Sequence, residues 1–269
     1  MIKPGEIQKK ANQSGLRDRQ IEKDYIITWI LFGISQNKLI FNNLIFKGGT
    51  ALKKAYFPGY RFSEDMDFTL DTDRISNEIL FSEFDKIFEL IKEEANITLE
   101  IKDVQEYKSR ESLNFHINYL GPLGGALGNK DLKIDITRDE VLEFETVDRR
   151  IFTEYSDLIE HEFMIKCYQL SEILIEKMTA LLGRAIPRDL YDLWYLVKYE
   201  RMNLKDYYYE FERKAKNKKY KPEEFPGKVL IKEQIFKRDW DNNLRYQIRE
   251  LPDFNEVMRD LKKQFRKLL

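Results

Sequence analysis

"FKGGTALKKAYFPGYRFSEDMDFTL", residues 46–70, carries two adjacent glycines, a threonine and, fifteen residues after Thr50, two aspartates at i and i+2. The apolar run LIF at 44–46 stops at the glycines, and TALKKAYF is helix-compatible as far as Pro58 and Gly59. The local order is therefore strand, glycine turn, helix. DMDFTL then alternates Asp65, Asp67 and Thr69 against Met66, Phe68 and Leu70, a period of two that predicts a strand with one polar and one apolar face. Both aspartates fall on the polar face, their bases roughly 6–7 Å apart.

That separation suits a hard divalent cation. Mg²⁺ takes oxygen ligands, often one or two carboxylates completed by phosphates and water, so a carboxylate pair of this kind points to a nucleoside triphosphate. LKIDIT supplies a third carboxylate: Asp135 shares a strand face with Lys133 and Thr137, which makes it either a partner in a two-metal clamp or a solvated residue paired with Lys133. Gly48 and Gly49 let the backbone approach a phosphate, and Thr50 at a helix start adds a hydroxyl and oriented N–H groups. The same Asp-x-Asp-x-Thr pattern also fits a haloacid-dehalogenase-like phosphohydrolase with Asp65 as nucleophile at the C-terminal end of a strand. Here a polar loop, PGYRFSE, precedes Asp65, so the aspartates open a strand instead of closing one, which counts against that chemistry. Arg61 and Ser63, in this loop, become candidates for lining the site.

Composition narrows the remaining classes. Lysine and arginine total 46 against 47 acidic residues, so a formal net charge of −1 gives no global case for a polyanion or a membrane. Cys167 is the only cysteine, which excludes an internal disulfide and fits a reducing compartment. With two histidines, His116 and His161, a histidine-built metal site is disfavoured. No apolar run approaches the ~18 residues that span a bilayer, and no signal-peptide core opens the chain, so the expectation is a cytoplasmic protein without a membrane partner.

Outward from the central stretch, DRQIEKDYIITWILF at 18–32 predicts an amphipathic helix with Asp18 available as a cap, and NEILFSEFDKIFELIKEE at 77–94 a second helix with Ile79, Leu80, Phe84, Ile87, Phe88 and Ile91 on one stripe. Strands are expected at NITLEIKDV, LNFHINYL, DLKIDITRD and EFMIKCY, the first three bracketing the turn-rich GPLGGALGN. From residue 170 the helix-periodic stretches are LSEILIEKMTALLGR, RDLYDLWYLVKY, LKDYYYEFERKAKN, IKEQIFKRDWDNNLRYQI and NEVMRDLKKQFRKLL. This sets an expected division into 1–169, a mixed α and β domain with an N-terminal helix, and 170–269, a helical domain.

Taken in order, KGGTAL, RFSEDMDF, KIDIT and EKMTALLGRAIPRDLYDLWYL resemble the AbiEii/AbiGii-type nucleotidyltransferase toxins of the DNA polymerase β-like nucleotidyltransferase superfamily. The similarity runs from IEKDYIITWIL to residue 196, and the C-terminal layout through LPDF is also similar. The resemblance implies an α+β fold with a polymerase β-like core and a mixed sheet, followed by a C-terminal α-helical domain that contributes to the active site. It places the family's opening on Gly48, Gly49 and Thr50, its metal pair on Asp65 and Asp67, its next aspartate on Asp135, its helical lysine and arginine on Lys177 and Arg184, and its final motif on Asp189, Leu193 and Trp194. Thr50 stands where many relatives carry serine; the hydroxyl is kept. The implied activity is an Mg²⁺- or Mn²⁺-dependent transfer of a nucleotide from an NTP to an acceptor such as tRNA, by the toxin of a type IV toxin–antitoxin pair. Its further implied partner is a cognate antitoxin with DNA-binding regulator character.

The helical motif reads compatibly. Lys177 and Arg184 lie seven residues apart, two turns along one helix face, where two cations meet a triphosphate. Asp189 at the first turn of the next helix suits a cap or a partner that positions Lys177; Asp192 is as well explained by a salt-bridged helix, and Leu190, Leu193, Trp194 and Val197 by a core. DYYYEF beside RKAKNKKYK at 213–221 has the composition of a single-strand groove with Lys216, Lys218 and Lys219 as its cations, although inward tyrosines and solvated lysines give the same pattern and are favoured. A transferase acting on a protein or small molecule and a nucleotide-binding regulator without turnover remain alternatives.

Overall fold

Gly48 turns the chain out of a strand with a φ of 75°, a left-handed value that a side chain resists. Before it lies β1 (Leu44–Lys47); after it α4 (Gly48–Ala51) runs into a π-helical turn, Leu52–Tyr56. The strand, glycine turn and helix expected from sequence are all present. In the computed structural model, residues 1–106, 112–138 and 140–268 are described. The chain divides into two units, one made of Met1–Glu140 and Thr146–Cys167, the other of Val141–Glu145 and Tyr168–Leu269.

The first unit opens with α1 (Pro4–Ser14), α2 (Asp18–Gln36) and α3 (Lys38–Asn43), and after β1 and α4 continues with β2 (Met66–Leu70), α5 (Asn77–Ala95), β3 (Thr98–Glu106), β4 (Ser112–Leu120), β5 (Asp131–Arg138), β6 (Thr146–Arg150) and β7 (Met164–Tyr168). The strands form one mixed sheet in the order β3-β4-β5-β2-β1-β7-β6. β2 is antiparallel to β1 and parallel to β5. Of the expected strand 131–139, Asp139 lies outside the described residues.

Strand alternation decides which face meets the core. Met66, Phe68, Ile134, Ile136, Leu113 and Phe115 are buried, and Phe115 meets Phe84 of α5 at 5.5 Å between ring centroids. Ser76 caps α5, whose buried stripe is Leu80, Phe84, Ile87, Phe88 and Ile91; each such side chain contributes roughly 1.5–3 kcal/mol on burial. Ile79, expected on that stripe, is exposed, one position off the buried arc.

The expectation of an amphipathic α2 is corrected. Residues Tyr25 to Ile34 are buried all round, because this helix is enclosed by other parts of the first unit instead of lying on a surface. Asp18 is the first helical residue; the cap position is Arg17, whose N–H is taken by the Gln20 side chain. Strand β6 was not expected, since TVDRR has a single apolar residue and no buried one.

The second unit comprises α6 (Leu170–Gly183), α7 (Pro187–Lys198), α8 (Tyr208–Asn217), α9 (Phe225–Ile231), α10 (Glu233–Leu244) and α11 (Phe254–Phe265). Its buried residues include Leu190, Leu193 and Trp194, as expected, and Leu196, while Val197 is only half-buried. No described helix is long and apolar enough to cross a membrane.

Candidate active site

Strand pairing brings two of the expected carboxylates together. Asp67 of β2 stands opposite Asp135 of β5 on one side and Lys47 of β1 on the other, so the three share a sheet face. Neighbouring strands are ~4.8 Å apart, close enough for both carboxylates to reach one cation. Asp65 sits just before β2. Its backbone carbonyl accepts a hydrogen bond from the Thr50 hydroxyl.

Gly48 and Gly49 are shaped around this row. A Cβ on Gly48 would collide with the Asp67 carboxylate, and one on Gly49 would collide with the Arg61 guanidinium and crowd Ser63 Oγ. The loop between the glycine turn and β2 therefore folds back onto the turn, bringing Arg61 and Ser63, both buried, to Gly49. Thr50 departs from expectation. Its side chain is fully buried and its hydroxyl is spent on Asp65, so it holds the aspartate loop and does not present itself to a phosphate.

The three carboxylates expected around a metal are not gathered into one ready cluster. Among the described residues no group of three or more His, Cys, Asp and Glu stands poised for a metal. Asp65 lies off the strand, and Lys133 Nζ takes Asp135 Oδ2 at 2.7 Å, the pairing that the plainer reading of Asp135 anticipated. Burial opposes the charge of Lys133, but Asp135, Asp65 and Asp67 outweigh it and raise its pKa. The negative potential of all three aspartates thus converges on one cationic position. This donor chemistry fits a divalent ion that takes one or two carboxylates and completes its shell from phosphate and water.

Helix α2 braces the surroundings from inside the first unit. Gln20 and Lys23 reach Glu64, next to Asp65, with Lys23 Nζ 3.2 Å from Glu64 Oε2. Glu22, fully buried, holds Lys130 at 2.7 Å and accepts from the Leu123 N–H, tying down the glycine-rich connection between β4 and β5. Asp24 binds Lys53 and Lys54, each at 2.6 Å, on the helix leaving the glycine turn. Burial lowers the Lys54 pKa to about 8, with Asp24 opposing that shift. None of these α2 residues was singled out from sequence, because a charged residue in an apolar helix has no visible partner there. Lys47 was missed for a related reason: its buried Nζ donates to Thr137 Oγ1 at 3.2 Å, a neighbour that only the register reveals.

The second unit has its own charged cluster. Lys177 Nζ lies 3.0 Å from Asp189 Oδ1 and 2.9 Å from Asp192 Oδ2, so Asp192 belongs to this buried network together with the expected pair. Arg184 does not continue the helix of Lys177. α6 ends at Gly183, and Arg184 is extended (φ −132°, ψ 164°), which corrects the shared helix face. Its guanidinium nevertheless forks onto Asp189 at 2.7 and 3.1 Å. Burial would raise the Asp189 pKa, but Lys177 and Arg184 overcome it and hold it below the ordinary value. Arg184 is the outward member of the cluster, its side chain 56% exposed.

On α8 the tyrosines are not packed inward as the plainer reading expected, since Tyr209 is exposed. Phe211 is buried, Lys214 is buried against Glu172 at 2.7 Å, and Lys216 pairs with Glu212 at 2.7 Å.

The model of the family described as nucleotidyl transferase AbiEii toxin, type IV TA system, matches residues 29–267. No curated protein sequence matches the chain. Among solved structures, the chain is similar to MenT4, a nucleotidyltransferase toxin from Mycobacterium tuberculosis, at 16% identity over 98% of this chain and 89% of that one, with a TM-score of 0.67. It is also similar to JHP933 from Helicobacter pylori, at 18% identity over 93% and 92% of the two chains and a TM-score of 0.59. A putative nucleotidyltransferase from H. pylori gives 19% identity, 93% and 95% coverage and a TM-score of 0.56. At these identities the likenesses speak for the fold.

Proposed function

Since the chain belongs to the AbiEii family of nucleotidyltransferase toxins of type IV toxin–antitoxin systems, we propose that it transfers a nucleotide from an NTP to a hydroxyl of an RNA such as tRNA, using Mg²⁺ or Mn²⁺, and that its cellular partner is a cognate antitoxin with DNA-binding regulator character. The observation that carries the reading is the glycine turn pressed against Asp67, with Asp135 in register beside it. Asp65 and Asp67 would hold the metal, with Asp135 alongside. When bound, the ion supplies Lewis acidity at the reacting phosphate.

The remaining work falls to side chains and backbone. Gly48 and Gly49 allow the triphosphate to approach the main chain, and Arg61 and Ser63 at Gly49 stabilise its oxygens. Thr50 fixes Asp65 through its carbonyl. In the transfer the acceptor oxygen bonds to the α-phosphorus as the bond to the leaving pyrophosphate breaks, and Asp135 takes the acceptor's proton. In the second unit, Asp189 orients Lys177 and holds Arg184.

Incubation with labelled NTPs, Mg²⁺ and total RNA tests this. The expected result is labelled RNA that disappears in Asp67→Ala, by about 10²-fold or more. Phosphate release from simple phosphate esters that requires Asp65 and consumes no NTP would instead support the phosphohydrolase. Tight NTP binding without transfer to RNA, protein or small alcohols would support a regulator.

A further inference from the structure

The polar sheet face extends past Asp135 toward β3. His116 of β4 is paired in register with Lys133 of β5 on one side and Lys102 of β3 on the other. Paired residues share a face, so Lys133, His116 and Lys102 form a row crossing three strands, ~10 Å from end to end. Lys102 is exposed and His116 half-exposed. The next row, Asp131, Asn118 and Glu100, carries carboxylates, which confines the cationic strip to a width of one residue.

Strand order gives this strip a direction. Across the sheet the sequence is β3, β4, β5, β2, β1. A triphosphate seated at the turn after β1 places its leaving pyrophosphate on the β1 side of Asp67. Displacement at phosphorus runs in line, so the attacking hydroxyl enters from the opposite side, over β5 and β4. That is where the strip begins.

His116 adds a feature that favours ribose. Its Nδ1 is bonded to Asp131 Oδ2, and a carboxylate only accepts, so in the neutral form of the ring the proton sits on Nδ1 and Nε2 is left as an acceptor. We propose that the strip is the acceptor track: an RNA strand lies across β5, β4 and β3, with Lys133 and Lys102 at its phosphates and His116 Nε2 accepting from a ribose 2′-hydroxyl. The cations match a phosphate backbone, and the 2′-hydroxyl distinguishes RNA from DNA. The proposal rests on the nucleotidyltransferase reading above and commits it to a strand path.

Anisotropy of a fluorescein-labelled single-stranded RNA and of the same sequence in DNA tests it on the full chain, with a fluorescent NTP titrated into the same samples. Lys102→Glu should weaken RNA binding about fivefold and reduce the slope of log affinity against log salt by about 0.7, the loss of one phosphate contact. His116→Ala should narrow the preference for RNA over DNA, while His116→Gln, which keeps an acceptor, should restore part of it. Unchanged RNA affinity in Lys102→Glu together with an unchanged RNA preference in His116→Ala overturns the track. Label transferred to protein by a wild-type chain that does not bind RNA also overturns it, and leaves NTP transfer standing. Failure of the wild-type chain to bind NTP overturns the underlying reading as well.

Discussion

A methyl group at residue 48 has nowhere to go. Its backbone is left-handed at φ 75°, which costs a non-glycine residue roughly 1–2 kcal/mol, and its Cβ would overlap the Asp67 carboxylate. The strain is tolerable, but displacement of Asp67 is not: shifts of ~1 Å in a reacting constellation cost about 10²-fold. Gly48→Ala is therefore expected to fold, with a small drop in melting temperature, and to lose about 10²-fold in nucleotide transfer; activity within about threefold of wild type would contradict the close approach. At this scale the strand position of Asp67 was legible because alternation is local, whereas Asp65, expected on the same strand face, precedes β2. Lys47 and the pairing of Asp67 with Asp135 were not legible, since they are neighbours only across strands. Thr50 was legible as a residue of the site but not in its role, because its hydroxyl's partner is a main-chain oxygen fifteen residues away.

Helices α7 and α11 show what holds elements of the second unit together. Asp260 of α11 accepts from Lys198 of α7 at 2.9 Å and from Lys263, with Trp194 Nε1 at 3.5 Å. Burial alone would raise its pKa, but these donors lower it to about 2 from 3.8. The sign follows from proton binding: between those two values the unfolded chain takes up a proton that the folded one refuses, so the contribution is full above about pH 4 and fades as pH falls through 2. Its size is on the order of 1–2 kcal/mol after solvent screening. Urea unfolding of wild type and Asp260→Asn should differ by that amount at pH 6 and converge toward pH 2; a constant gap would exclude this linkage. Elements with a strong period, α5 and β2 among them, were readable from sequence. α9, FPGKVLI, was not, since Pro226 and Gly227 signal a loop; Phe225, Pro226 and Val229 are buried and form it nonetheless.

Over the whole molecule the chain changes unit at residues 141, 146 and 168, and the short segment Val141–Glu145 belongs with the helices. Glu172 is the reason. Its Oε2 accepts from the N–H groups of Glu143 and Phe144 at 2.9 Å, while Oε1 meets Lys214 at 2.7 Å, with both side chains 1% exposed. Removing one partner strands a buried charge, so Glu172→Ala is expected to cost about 3–5 kcal/mol of stability and to speed amide exchange at Glu143 and Phe144; a change under ~1 kcal/mol would show the clamp to be dispensable. The net charge of −1 says nothing of how charge is sorted locally: Lys133 and Lys102 reach one strip only once β3, β4 and β5 are paired. By itself the sequence determined the glycine turn, the aspartate strand, the helical second half and, through its motifs, the family, since each is written in residues within a few turns of one another. The tertiary structure alone decided that Asp135 faces Asp67, that Thr50 serves Asp65, that Arg184 leaves its helix yet returns to Asp189, and that α2 is enclosed. Those facts depend on register and burial, which couple residues far apart along the chain.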